Sequence, residues 1–524
     1  MKNILLLSIA LGMFTFGATS QTNVELFKDV NPSGSEIGNY IEFEGKMLFG
    51  ANDGIHGDEV WISDGSATGT QLIVDININS SSLPKFFTLF NGRVYFTADD
   101  GIHGEELWVT DGTASGTMMI KDINLSSSSS PKDLTAFNGK LYFHADDGIH
   151  GDELWISDGT TSGTYLLKDI NPTDIFGVRG FAESNGKLFF NASDNIHGYE
   201  LWTTDGTEAG TQMIKDINPG IGNSAPNGWT DYNGKLYFQA NDGVHGAELW
   251  VTNGTSAGTQ MIKDLYSEGN SDPLFFIEFN GKLFFPALDS AARFALWSTD
   301  GTEIGTEKVL VMGDINGPLA VGNGKLYFNS FIPGMGLQLW ASDATLSGTT
   351  MLTQLNTSES NGSYASKITT FKNRHYFTAL SSPNNRELYE TDGTQNGTQR
   401  IAPANSTASN PCRYTYEFFK FNDYLYFRAN FNGSGYQLFR IQNTMVGIEE
   451  QFGTTFQVFP NPTNDILKIT SENDSQFTLY DLTGKALKTV DVIQSTEISM
   501  SDLNAGIYIL RENGSGAQMK IVKE

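Results

Sequence analysis

Apolar residues fall in short runs divided by Gly, Asn and Asp, and the same order of runs returns about every 47 residues. The third copy reads DLTAF, KLYFHA, ELWIS and YLLKDI in turn. Runs this short, rich in aromatic and branched residues and bounded by turn formers, predict four strands per copy and no helix. In two of them the apolar residues are consecutive, Leu141-Tyr142-Phe143 and Leu154-Trp155-Ile156. Both faces of each sheet are therefore covered, because a sheet with one wet face would alternate.

The spacing of tryptophan sets the period. Trp61, Trp108, Trp155, Trp202, Trp250, Trp297 and Trp340 occupy one place in the repeat, with Tyr389 and Phe439 in the same role, so nine units fill residues 36 to 441. A period in this range indicates a solenoid or a propeller. Asn-Gly joins the first two strands of a unit, a strong hairpin signal. D-G-T-x-x-G-T joins the third to the fourth, and its second Gly-Thr is present in all eight copies of the turn, from Gly69 to Gly397. A backbone constraint is the expected cause; the first glycine is replaced once, by Ala344.

The chain ends choose between the two architectures. The ninth copy, FFKF, YLYFRA and YQLFRI, lacks its fourth strand, while VELFKDVNP at residues 24 to 32 matches YLLKDINP and precedes the first complete unit. An open solenoid gains nothing from dividing a unit between its ends, whereas a ring gains a continuous last blade and hides two sheet edges. The expectation is an all-β chain: a β-propeller of nine blades, or eight if one irregular unit is not a true blade, closed by the N-terminal strand over residues 21 to 441.

The motif E-L-W-x-x-D-G-T, as at Glu106 to Thr113, Glu153 to Thr160 and Glu200 to Thr207, resembles the secreted bacterial repeat family named for those letters. Later copies depart from it: LWSTDGT lacks the Glu, LWASDAT lacks the Glu and the Gly, and LYETDGT has Tyr for Trp. The resemblance implies secretion and a repeat architecture, and it carries no activity.

Past a linker at 442–455, the repeat gives way to short strand-like runs, FTLYDL, ALKTV, IYILRE and MKIVK, which predict a small β-sandwich over 456–524. This segment is similar to the type A sorting domain of the type IX (Por) secretion system, through Pro460, Asn461 and Pro462, then Gly484, Gly506, Tyr508 and Lys520. The similarity implies a Gram-negative cell, contact with the type IX machinery, and a destination outside the cell or on its surface. The other end agrees. Lys2, an apolar run from Ile4 to Ala18, and small residues at Ala18 and Ser20 predict a cleaved signal peptide at 1–20. No stretch is a comfortable transmembrane span.

Charge and cysteine narrow the chemistry. With 33 Lys and Arg against 60 Asp and Glu, the net charge of −27 disfavours nucleic acid as a partner. Cys412 is the only cysteine, which excludes an internal disulfide and a thiolate metal cluster. No metalloprotease, nucleophile-elbow, phosphate-loop or dinucleotide motif is present.

Strand parity puts the loop between second and third strands on the same rim as the link between blades. There the first five copies carry D-G-I-H-G-D-E or a variant, aligning His56, His103, His150, His197 and His245. Packed sheets lie about 10 Å apart, too far for neighbouring histidines to share one zinc, so each is expected to cap its own loop. Calcium within a loop is the alternative, held by Asp53, Asp58 and Glu59 or by Asp147, Asp152 and Glu153. Blades six to nine drop this phrase and carry seven of the ten arginines, among them Arg293, Arg374 and Arg386. These suit an anionic polysaccharide or an acidic partner; solubilising charge is the competing reading. The chain reads as an exported, non-enzymatic propeller that binds protein or glycan, without a cofactor unless calcium is bound. The alternative is an extracellular carbohydrate-active hydrolase or lyase with its site on the variable rim of blades six to nine.

Overall fold

A computed structural model describes residues 21–31, 37–172, 177–291, 293–310, 313–356, 362–404, 406–444, 456–459, 463, 465–471, 474–481, 485–513 and 518–523. The segment expected to be a signal peptide, 1–20, lies outside them, as does the linker beyond 444. The chain forms two compact units, one spanning Asn23–Gln442 and one containing Asn443–Glu524.

The larger unit is a β-propeller of nine four-stranded antiparallel sheets among the described residues. Blade three is typical, with strands Lys132–Phe137, Lys140–Asp146, Asp152–Ser157 and Tyr165–Lys168. First strands of neighbouring blades touch, as do Gly38–Phe43, Lys85–Phe90 and Lys132–Phe137 in succession. Only the innermost strands of radially arranged sheets converge in this way, so they line the axis. The clusters between blades are apolar and mixed in origin. Trp155 of blade three lies with Leu107, Val109 and Ile120 of blade two, and Lys121 of blade two stands 5.6 Å above its ring. The recurrent tryptophan thus joins each blade to the one before it.

Closure occurs as the divided last unit requires. Strand Gln21–Lys28 joins the sheet of Phe418–Phe421, Tyr424–Ala429 and Gln437–Thr444 at its outer edge. Phe27 and Val30 share a core with Phe49 and Trp61 of blade one and Tyr426 of blade nine. A repeated hydrogen bond confirms the register. The fourth-strand lysines Lys121, Lys168 and Lys215 each donate to a carbonyl in the turn of the following blade, at 2.7, 2.7 and 2.8 Å. Lys28 does the same to Ala67 of blade one, at 2.9 Å.

The D-G-T turn corrects one expectation. Left-handed geometry belongs to its first glycine, as at Gly159 with φ of 93°, and Ala344 adopts a φ of 73° in the same place. The second glycine has no positive φ, and its constraint is steric. A Cβ on Gly163 would overlap the Asp158 carboxylate, and the same holds at Gly116 against Asp111 and at Gly210 against Asp205. That carboxylate is fixed by the Thr160 N–H at 3.0 Å and the Thr160 hydroxyl at 2.7 Å.

The glutamate of E-L-W clamps the link between blades. Glu59, Glu106, Glu153, Glu200 and Glu248 are fully buried. Glu106 accepts the N–H groups of Ile123 at 3.0 Å and Ser129 at 2.9 Å. Buried link amides would otherwise lack partners. Where the glutamate is missing, Gln338 of blade seven and Gln437 of blade nine take its place and Ala295 stands there in blade six, all three fully buried.

In the smaller unit, one sheet comprises Phe456–Phe459, Ile466–Ser471 and Ser495–Ser499, and the other Ala486–Val492, Ser475–Tyr480, Gly506–Glu512 and Gln518–Lys523. One core draws on both, with Leu467 and Ile498 from the first and Phe477, Leu510 and Ile521 from the second. Lys523 donates to the carbonyls of Met500, at 2.6 Å, and Leu503.

Candidate functional site

The loops of the link rim are built from their own short-range bonds. In blade three Asp147 accepts the N–H groups of Ile149 and His150 at 2.9 and 2.8 Å, and its other oxygen meets His150 Nδ1 at 2.7 Å. His56, His103 and His245 make the same 2.7 Å contact with Asp53, Asp100 and Asp242. The hydrogen bond to its aspartate holds each imidazole above its ordinary pKa. His197 meets Asp194 at 3.0 Å, so all five histidines of this register are loop staples.

Variation among the copies concentrates elsewhere. In the second strand the residue after the inward phenylalanine is Gly50, Thr97, His144, Asn191, Gln239, Pro286, Asn329, Thr378 or Arg428, while its neighbour is alanine or serine in every blade. The third-strand residue before the glutamate of E-L-W varies with it, as Asp58, Glu105, Asp152 and Arg386. The structure brings the two columns together near the axis. His144 sits between Asp152, 2.6 Å from Nδ1, and Asp133, 3.5 Å from Nε2. Despite its burial, those two carboxylates raise its pKa. In blade two Glu105 accepts from the Thr97 hydroxyl at 2.9 Å, and in blade nine Arg428 lies 4.8 Å from the Tyr436 ring.

The third element is a bulge in the first strand. The register slips between Lys132 and Thr135, between Lys85 and Thr88, and between Ser366 and Thr369. The slip places Asp133, Phe86 and Lys367 in left-handed backbone, with φ of 55°, 56° and 59°. For residues other than glycine this conformation costs about 1–2 kcal/mol each, and strain of this kind collects at functional positions. Phe86, Asp133 and Gly180, the bulge residues of three consecutive blades, line one cavity of about 380 Å³. A larger cavity of about 480 Å³ opens where the ring closes, walled by Tyr40, Asp58, Lys85, Tyr416, Glu417 and Arg428. Its Glu417 accepts the Asn39 N–H at 2.9 Å, and burial raises the pKa of that carboxyl. The Tyr40 hydroxyl is buried without a hydrogen-bond partner among the described residues; burial raises its pKa too. The axial mouth of the link rim therefore combines non-repeated charge, exposed aromatic rings and strained backbone on a rigid frame.

The site residues expected from sequence are distributed rather than gathered. Arg374 follows the hairpin turn on the opposite rim and lies 3.5 Å from Glu390. Arg293 is exposed at the entry to the third strand of blade six. Arg386 reaches over blade eight towards the axis. Of the two suggested calcium sets, Asp53 and Asp147 are turned onto His56 and His150. Glu59 accepts the N–H groups of Ile76 and Ser82, and Glu153 those of Ile170 and Asn171. Asp58 accepts from the Ser81 hydroxyl at 3.2 Å and Asp152 from His144. Among the described residues no three His, Cys, Asp or Glu side chains gather as a metal cage requires. Of the sorting-signal residues, Gly506 and Tyr508 lie in one strand, the Tyr508 hydroxyl donating to the Asn504 carbonyl at 2.7 Å, and Lys520 is in the last strand. Pro460, Asn461, Pro462 and Gly484 lie outside the described residues. The sequence reading missed the axial residues Tyr40, Asp133, His144 and Glu417. For His144 the signal was available, as a second-strand column in which otherwise matching copies disagree.

Residues 457–524 match the family of secretion system C-terminal sorting domains. The chain is secreted through the type IX machinery, to the exterior or the outer surface of a Gram-negative cell. Among the described residues no helix is long and apolar enough to cross a membrane. No curated protein matches the chain. Among solved structures, puromycin hydrolase is similar at 13% identity and a TM-score of 0.36, over 67% of this chain and 60% of that one. A prolyl endopeptidase is similar at 9% identity and a TM-score of 0.39, over 84% of this chain and 55% of that one. This chain thus spans less than two thirds of the length of either, and such values carry no conclusion about its activity.

Proposed function

We propose that the chain is an exported, non-enzymatic propeller that binds a glycan or protein outside the cell through the axial mouth of its link rim. The observation that carries this reading is the agreement between sequence variation and cavity. Blades that repeat one another elsewhere differ at the second-strand column and the first-strand bulge, and the bulge residues Phe86 and Asp133 share a cavity wall. Binding sites are concave, with a few polar groups set among apolar and aromatic ones, and the cavity at the ring closure has that composition. The likeness of the repeat to the E-L-W-x-x-D-G-T family supports secretion, as does the signal-like segment at 1–20.

A screen of glycans and surface proteins against the full exported chain tests the reading. Tyr416→Ala, at an exposed position in the cavity wall, is expected to weaken the selected ligand at least tenfold while leaving thermal unfolding unchanged. Equal binding by the variant would refute the mouth as the site.

A hydrolase reading has one observation in its favour, the presence of Asp58 and Glu417 in one cavity. Glu417 is already engaged by a backbone N–H, which suits a wall residue better than a mobile acid. Reducing-end release from the selected glycan, abolished by Glu417→Gln, would decide for the enzyme.

A further inference from the structure

Blade eight places a guanidinium at the mouth without a counter-ion among the described residues. Arg386 is half-buried, and its Nη1 donates to the Tyr364 carbonyl at 3.1 Å, the Ser366 hydroxyl at 2.9 Å, the Thr378 carbonyl at 3.1 Å and the Thr378 hydroxyl at 3.3 Å. All four acceptors are neutral. Nε and Nη2 have no acceptor among the described residues. Three other arginines differ: Arg374, Arg400 and Arg440 each meet a glutamate, at 3.5, 2.8 and 2.6 Å.

Its surroundings narrow the ligand. Nη1 anchors the fork, leaving the Nε–Nη2 edge with two parallel donors, the arrangement that takes a carboxylate bidentately. The Tyr364 ring lies 5.7 Å from the guanidinium and is 43% exposed. An aromatic face beside a carboxylate-binding fork suits a sugar acid, whose C–H face packs on the ring while its carboxylate meets the fork. Lys367, exposed on the first-strand bulge of the same blade, adds a second positive charge. That charge is felt by Glu417, so the cationic sector borders the cavity at the ring closure. An extended glycan can occupy both.

We propose that Arg386, Tyr364 and Lys367 form a carboxylate-binding subsite for a uronate-bearing glycan, an inference that rests on the mouth being the binding face. An acidic peptide would satisfy the fork but would make less use of the flat ring.

The test measures binding of the full chain to an oligogalacturonate, to its neutral methyl ester and to polyglutamate. The free acid is expected to bind at least tenfold more tightly than the ester, and Arg386→Gln to abolish that difference. Arg386→Lys, which keeps the charge and loses the fork, is expected to fall several-fold below the native chain. If the arginine variants fail to fold, the exposed changes Tyr364→Leu and Lys367→Asn replace them, each expected to weaken the acid more than the ester. Equal binding of acid and ester, no binding of the acid, or equally tight binding of polyglutamate overturns the subsite. Glycan binding that is lost in Tyr416→Ala but indifferent to all four blade-eight variants removes the subsite and leaves the mouth standing. Glycan binding unchanged by Tyr416→Ala removes the mouth reading itself.

Discussion

Arg440 and Glu25, 415 positions apart in the chain, form an ion pair of 2.6 Å across the last blade of the ring. The guanidinium also lies 4.0 Å from the centre of the Tyr424 ring and donates to the Gly65 carbonyl of blade one at 3.2 Å. One side chain thus ties together the N-terminal strand, the ninth blade and the first. Arg440→Ala is expected to destabilise the propeller by about 1–3 kcal/mol, mostly through the lost cation–π and carbonyl contacts, because exposed ion pairs contribute little. Denaturant unfolding measures it; Glu25→Ala should cost less than half as much.

Tyr95 of blade two and Gly159 of blade three are complementary. A Cβ at Gly159 would overlap the Tyr95 hydroxyl, and the same relation holds for Gly206 with Tyr142 and Gly301 with Tyr237. Ala344 is the exception among the first glycines, and blade six carries Phe284 where Tyr95 stands in blade two. Gly159→Ala is expected to cost about 2–3 kcal/mol, combining the left-handed backbone with the overlap. Adding Tyr95→Phe should recover 1 kcal/mol or so of that loss. A double-mutant cycle in urea tests the pair; simple additivity would contradict it.

Glu153 makes stability depend on pH. Burial outweighs its backbone donors and pushes the carboxyl up to about 7 from an ordinary 4.5. A raised carboxyl binds its proton more readily in the folded chain than in the unfolded one. Its contribution is therefore complete below pH 4.5 and is lost as pH rises through 7. Over that window the native chain should lose about 2–3 kcal/mol from this group, with Glu248 acting alike. Glu153→Gln should fold, as Gln338 does in the same place, and should flatten the pH profile of thermal unfolding. Glu153→Ala, which orphans the N–H groups of Ile170 and Asn171, should cost 2 kcal/mol or more at every pH.

Calcium should leave the ring unchanged. The oxygens of Asp53 and Asp147 are occupied by their own loops and by His56 and His150. Millimolar calcium, or its removal by chelator, is expected to move the unfolding temperature by less than 1 °C or so, since a ligand that binds the folded state raises it. A calcium-dependent rise of several degrees would reinstate the loop carboxylates as a site.

Repetition made the architecture legible. Four strands, the turns, the divided last blade and even the partner of VELFKDVNP follow from aligning the chain with itself. The roles of individual motif residues were less accessible. Glu106 looks like a surface acid in a polar phrase, yet it is buried because the link of the next blade folds over it. Gly163 looks like a conformational glycine, yet its limit is the carboxylate of Asp158. The site was obscured for the opposite reason. His144, Asn191 and Arg428 match nothing in neighbouring copies, so a reading that follows similarity passes over them. Arg293, Arg374 and Arg386 were grouped by sector, and strand parity divides Arg374 from Arg386 between opposite rims.

Hydrogen exchange over residues 23–28 and 437–441 in the full chain tests the closed ring most directly. The account predicts that the amides of Val24 to Phe27 that face the last blade exchange as slowly as those of Leu438 to Ile441, and that both are released together on unfolding. Exchange of the N-terminal strand within seconds, while the rest of the ninth blade stays protected, would contradict it.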